Sequence, residues 1–166
     1  MPKLHIETGD DNIILRNISE PFRIDEIRKY RTLAEQMVRY IKNPDNGGVG
    51  LAAPQVGVNK RLIVVSLMRD YDDEDYRTIP LFNPVITEHS EEKCTDKEWC
   101  LSVPGESGMV ERWNWVKIEF LDIQGRKYNM KLENLAARII QHEIDHLDGI
   151  LFTDKVESLL IVNHER

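Results

Sequence analysis

No stretch of the 166 residues reaches the roughly 20 consecutive apolar positions that a membrane-spanning helix needs. Met1 to Asn12 also lacks the apolar segment of a secretory signal, so a cytoplasmic chain is expected. Positive charge is in deficit: 22 Lys and Arg stand against 29 Asp and Glu, a formal net charge of −7, and no basic patch shows along the sequence. Nucleic acid and anionic membrane surfaces both require such a patch, and neither is an expected partner. Cysteine is confined to Cys94 and Cys100. Without an export signal these thiols meet a reducing compartment, where cysteines serve metals or chemistry more often than a disulfide. The glycine-rich run Asn46 to Gln55 lacks the Lys-Ser or Lys-Thr pair of a phosphate loop. What is present, 41% hydrophobic and 31% charged residues over the length of one domain, describes an ordinary globular chain, and residues 1–166 are read as a single domain.

The most specific stretch is Gln141 to Gly149, where His142 and His146 flank Glu143 in an H-E-x-x-H pattern. A helix turns about 100° per residue, so the two imidazoles lie one turn apart on the same side, with the carboxylate beside them. Ala136, Ile140, Ile144 and Leu147 form an adjoining apolar arc, while Arg138, Gln141, Asp145 and Asp148 are expected to point away from it. Two imidazoles and an unpaired carboxylate beside a core cost several kcal/mol unless something replaces their water, and a divalent cation does so. Histidines that merely satisfy buried hydrogen bonds are the plainer alternative; the full pattern, with Glu as general base, favours the metal.

Along the chain, Ile13 to Leu15 resembles a short strand, and a helix capped by Asp25 follows, with Ile27, Tyr30, Leu33, Ala34, Met37, Val38 and Ile41 at helical spacing up to Asn43-Pro44. Asn46 to Gln55 reads as a loop. Leu62 to Val65 is the centre of a buried strand. Arg69 to Arg77, with five carboxylates, reads as a solvated loop, a cation site being the weaker alternative. Leu81 to Thr87 is a strand interrupted by Pro84, which implies an edge or a bulge, and residues 88–99 look like a charged loop. Trp113 to Asp122 and Arg126 to Leu132 form a hairpin around Gln124 and Gly125; Asn134 is a candidate cap for the His-bearing helix and Gly149 its end. A tetrahedral ion held by two imidazoles wants a third protein ligand and one open place. Downstream, Glu157 and His164 lie close to the chain end; upstream, Cys100 is the natural candidate, although the same thiol could be inert or a nucleophile.

Three segments, Gly48 to Gln55 (GVGLAAPQ), Glu98 to Ser102 (EWCLS) and Gln141 to His146 (QHEIDH), together resemble the peptide deformylase family over roughly residues 10–155. The resemblance implies an α+β fold with antiparallel β-sheets around a central metal-bearing α-helix and an N-terminal helix packed outside. It implies a cytoplasmic hydrolase that removes the N-formyl group from the starting methionine of new polypeptides and releases formate. By the same resemblance Cys100, His142 and His146 hold one divalent metal ion, Fe(II) first, with Zn, Ni or Co as substitutes in purified protein. Glu143 is then the general base and acid, and Gln55 with the main-chain N–H of Leu101 stabilises the oxyanion. Gly50 binds substrate main chain, and Val49, Leu135 and Ile139 are the candidate methionine pocket. The family usually carries Gly where this chain has Trp99, which bears on substrate choice, and the loop at 69–77 is longer than in compact members. The tail after Gly149 is short and not basic, so docking on a ribosome through it has no support in the sequence. Two rivals share the helix: an endopeptidase with a downstream third ligand, and a domain that binds N-terminal peptides without turnover. Cys100 speaks against the first and Glu143 against the second.

Overall fold

The computed structural model describes residues 3–161. Two antiparallel sheets enclose one long helix. β1 (Gly50–Ala52), β2 (Leu62–Ser66), β3 (Thr78–His89), β6 (Trp115–Leu121) and β7 (Lys127–Glu133) form a five-stranded sheet in the order β1-β2-β3-β6-β7. β4 (Lys93–Cys100), β5 (Val103–Trp113) and β8 (Val156–Ile161) form a three-stranded sheet in the order β4-β5-β8. The helix α3 (Asn134–Leu147) packs between them, and α2 (Arg31–Lys42) covers the outer face of the larger sheet. The expected α+β fold, with its buried helix and outer N-terminal helix, is observed.

The unbroken apolar run in β2 has its reason here. Successive side chains of a strand point to opposite faces. Ile63 and Val65 therefore join Ala136, Ala137, Ile140 and Ile144 of α3, while Leu62 and Val64 join Ala34, Met37 and Ile41 of α2. All four are at most 1% exposed, as a strand covered on both faces requires.

Several local expectations are corrected. Ile13 to Leu15 is not a strand: Ile13–Arg16 is a single helical turn, α1, because Asn12 Oδ1 accepts the Ile14 N–H at 2.9 Å. The helix expected from Asp25 begins as a 3-10 segment at Ile24, where Glu26 accepts the Arg23 N–H at 2.9 Å, and becomes α-helical only at Arg31. Asn46 to Gln55 is not all loop, since it contains β1. β3 is interior rather than an edge; the irregularity around Pro84 is a bulge between Phe82 and Val85, with Asn83 at φ 49° and its amide paired to both backbone groups of Phe22. The charged residues 93–99 form most of β4 instead of a loop, with every side chain but that of Glu98 exposed.

At α3, Asn134 does not cap. β7 runs into the helix with no intervening loop, and Asn134 makes that turn in the left-handed region at φ 53°. Gly149 does end the helix, at φ 73°, with the Ile150 N–H returning to Asp145 O. A Cβ on Gly149 would lie 2.4 Å from Arg16 O, so the N-terminal segment crosses here in close contact. That segment closes the helix end: the Ser19 N–H donates to Leu147 O and Arg16 Nη1 to Gly149 O. The expected polar side of α3 is also corrected, because Arg138 and Gln141 are buried under the smaller sheet. Gln141 exchanges two hydrogen bonds with the backbone of Trp113, acting as a strand neighbour would.

Candidate metal centre and active site

β4 presents Cys100 at its last position and α3 presents His142 and His146 one turn apart. One ligand atom from each residue lies within 4.8 Å of the others, and Cys100 Sγ is 3.4 Å from His146 Nε2. Sulfur and nitrogen donors on one tetrahedral ion stand roughly 3.6 Å apart, so the set fits a single metal ion. Glu143 Oε2 is buried without a hydrogen-bond partner among the described residues, a cost that a cation held beside it would offset. Burial lowers the His146 imidazole well below its ordinary range, and charge on His142 and Arg112 acts the same way, favouring the neutral ligand form.

His142 is oriented by a carboxylate. Its Nδ1 is 2.8 Å from Glu98 Oε1, which turns Nε2 toward Cys100 and His146. Glu98 also accepts from Arg112 Nε at 2.9 Å, Arg112 Nη2 at 2.8 Å and Arg138 Nη1 at 2.6 Å. Burial alone would raise this carboxyl group, but hydrogen bonds from Arg112 and His142 outweigh it and leave Glu98 well below the usual carboxylate range. Arg112 reaches on to Asp145, so a continuous charged network runs behind the site. Neither Arg112 nor Arg138, nor the part played by Glu98, is foreseen by the sequence reading: Glu98 and His142 are 44 residues apart, and no local periodicity joins them.

Glu143 is 4% exposed and lies against β1, where a Cβ on Gly50 would be 2.6 Å from its Oε1. Burial pushes the Glu143 carboxyl up to about 7, with His142 opposing the rise. Gln55 sits in the 3-10 turn after β1; its Oε1 accepts the Ala52 N–H at 2.9 Å, leaving Nε2 directed at Cys100 Sγ (3.5 Å) and Ser102 Oγ (3.1 Å). Val49, Gly50, Leu101, Leu135 and Ile139 all line the cleft that opens onto His142 and Glu143. Every candidate from the three sequence motifs thus reaches one place. Glu157 and His164, the downstream alternatives for a third ligand, fall outside the described side chains.

The profile of the polypeptide deformylase family matches residues 3–160. The chain belongs to this family. It is 44% identical over 160 residues to peptide deformylase 2 of Gloeobacter violaceus, covering 95% of this chain and 81% of that one. Among solved structures it is similar to a Met-Ala-Ser-bound class I type b peptide deformylase from Acinetobacter baumannii, at a TM-score of 0.84 and 36% identity over 93% of this chain and 99% of the other. It is likewise similar to the peptide deformylase of Thermotoga maritima, at a TM-score of 0.82 and 31% identity over 95% and 100% of the two chains. Trp99 is 45% exposed and lines the cleft beside Cys100.

Proposed function

We propose that this cleft removes the N-formyl group from the N-terminal methionine of newly made polypeptides, with Cys100, His142 and His146 as the metal ligands and the whole chain as one catalytic domain. The protein is a family member whose activity is metal-dependent deformylation. One observation carries the assignment of residues: thiolate and imidazole donors converge on a buried point flanked by Glu143 and by Gln55 Nε2. Thiolate and imidazole suit a first-row divalent ion, and Fe(II) is proposed, with Zn, Ni or Co as replacements. When bound, such an ion activates water at neutral pH and polarises the formyl carbonyl.

The residues supply the rest. Glu143, held near neutrality by burial, takes the proton of the attacking water and returns it to the leaving nitrogen, so the C–N bond breaks to a free amine and formate. Gln55 Nε2 and the Leu101 N–H donate to the oxygen that gains charge; one such donor is worth about 3–4 kcal/mol. The Gln55 amide is prepared for this by Ala52, which fixes its oxygen and leaves its nitrogen facing the site. Gly50 admits the substrate main chain beside Glu143, since any side chain there would fill that space. Val49, Leu135 and Ile139 give the methionine side chain an apolar wall.

We place the enzyme in the cytoplasm, beside protein synthesis, with formylated nascent chains as its partners; among the described residues no helix is long and apolar enough to cross a membrane. Neither nucleic acid nor a membrane is assigned as a partner, and ribosome docking through the C-terminal tail is not part of the proposal. Formate release from a formyl-Met peptide, assayed beside cleavage of the same peptide without the formyl group, tests the reading. Cleavage of an internal bond with no formate released would replace it with an endopeptidase, and tight binding with neither reaction would make it a binding domain.

A further inference from the structure

Two large aromatic side chains stand in solvent at the cleft: Tyr71 is 60% exposed and Trp99 is 45% exposed, and both line the same opening as Gly48, Leu101 and His142. Neither belongs to the core. Along β4 the alternation buries Glu98 and Cys100 and turns Trp99 outward. Its ring extends over the glycine segment on the facing wall, where a Cβ on Gly47 would sit 3.8 Å from Cη2. Tyr71 comes from the acidic segment 69–77, which is less loose than its composition implies. Asp73, its side chain 2% exposed, accepts both the backbone N–H and the guanidinium of Arg69 and also the Asp75 N–H, and this clamp fixes the turn that carries Tyr71.

Exposed aromatics held by a rigid frame at the edge of a site present contact area at little entropic cost. Resting on the deformylase reading, we infer that Trp99 and Tyr71 form a rim that packs against the side chains of the two residues following methionine and so favours substrates with aromatic or large apolar residues there. With the formyl group at His142 and Glu143, an extended peptide advancing about 3.3 Å per residue brings those positions to the mouth. Asp70, Asp72 and Asp75 on the same segment are exposed, so acidic residues are disfavoured at these positions.

The test compares kcat/KM for formate release from formyl-Met-Phe-Phe and formyl-Met-Ala-Ala in the parent, Trp99→Ala, Tyr71→Ala and Trp99→Phe. The parent should prefer the Phe peptide, each alanine variant should reduce that preference roughly two- to tenfold, and Trp99→Phe should keep most of it. Independently, the product peptide Met-Phe-Phe should shift tryptophan emission in the parent and not in Trp99→Phe. A parent with no preference, or alanine variants of unchanged Tm and unchanged preference, would overturn the rim. Tyr71→Ala, at an exposed turn, decides the matter if Trp99→Ala fails to fold. Formate release from either peptide by the parent reports on deformylation itself: its absence from both defeats both readings, and its presence with a flat preference defeats only the rim.

Discussion

Glu98→Gln is expected to destabilise the protein more than any other change of one functional group of similar shape. Glu98, with a side chain 5% exposed, is the anion between Arg112 and Arg138, whose side chains are 3% and 7% exposed. Glutamine keeps the shape but offers one acceptor where two oxygens now accept four hydrogen bonds, and it turns an NH2 donor toward other donors. Arg112 retains Asp145 as counter-ion, whereas Arg138 is left with the carbonyls of Val110 and Cys94. Breaking one partner out of a buried charged pair costs about 3–5 kcal/mol. For a chain of 166 residues, 1 kcal/mol moves Tm by about 2–4 °C, so a fall of about 6–20 °C is expected. Circular dichroism melts at saturating metal, repeated after chelation, separate this loss from weaker metal binding, which should itself drop about 10–100-fold through His142. Adding Arg138→Leu to Glu98→Gln should recover part of the loss, because it removes the uncompensated cation. A Tm within 2 °C of the parent in Glu98→Gln would refute the reasoning, showing that water or rearranged partners satisfy the two guanidinium groups.

Glu143→Gln should retain metal and lose about 10²–10⁴-fold in turnover, measured by metal content and formate release; metal loss would make Glu143 a ligand instead. Cys100→Ser should lower metal affinity far more than Cys94→Ser, since only Cys100 lies with the two imidazoles; equal loss in both, read by metal analysis of purified variants, would undo that assignment. Gly50→Ala places its Cβ 2.6 Å from Glu143 Oε1, and displacement of that carboxylate by even 1 Å should reduce kcat about 100-fold in a protein that still folds and binds metal. Gly149→Ala combines φ 73° with a 2.4 Å approach to Arg16 O and should cost about 2 kcal/mol or more in a denaturant melt; an unchanged midpoint would mean the N-terminal segment shifts freely.

The site was legible because its ligands come in short local patterns. His142, Glu143 and His146 share one helix face, and Cys100 and Gln55 stand in motifs whose order along the chain resembles a known family. β2 was legible because burial on both faces leaves an uninterrupted apolar run. β4 was not, because all its charged side chains except Glu98 look out to solvent while its backbone pairs with β5; polarity in sequence reports the exposure of side chains and not the hydrogen bonding of the main chain. Arg138 and Gln141 were misplaced for a related reason. A helical wheel assigns polar residues to water, yet here both are buried and satisfied by partners 28 to 44 residues away. Asn134 could serve as a cap or as a left-handed turn with equal chemistry, and the choice depends on β7 entering α3 with no loop.

The crossing of the N-terminal segment over the end of α3 has a consequence for how the molecule is made. Arg16 and Gly149 are joined across 133 residues, and Ser19 waits for the carbonyl of Leu147. During synthesis Arg16 and Ser19 leave the ribosome well before the helix whose end they close. Local turns from Asp148 to Ile150 stop the catalytic helix, but the carbonyls of Leu147 and Gly149 find Ser19 and Arg16 only through distant pairings, which form slowly. A ribosome-bound chain arrested before residue 146 should accordingly hold the thiol of Cys100 without the second imidazole, and tight metal binding should wait until elongation supplies His146 and the end of α3.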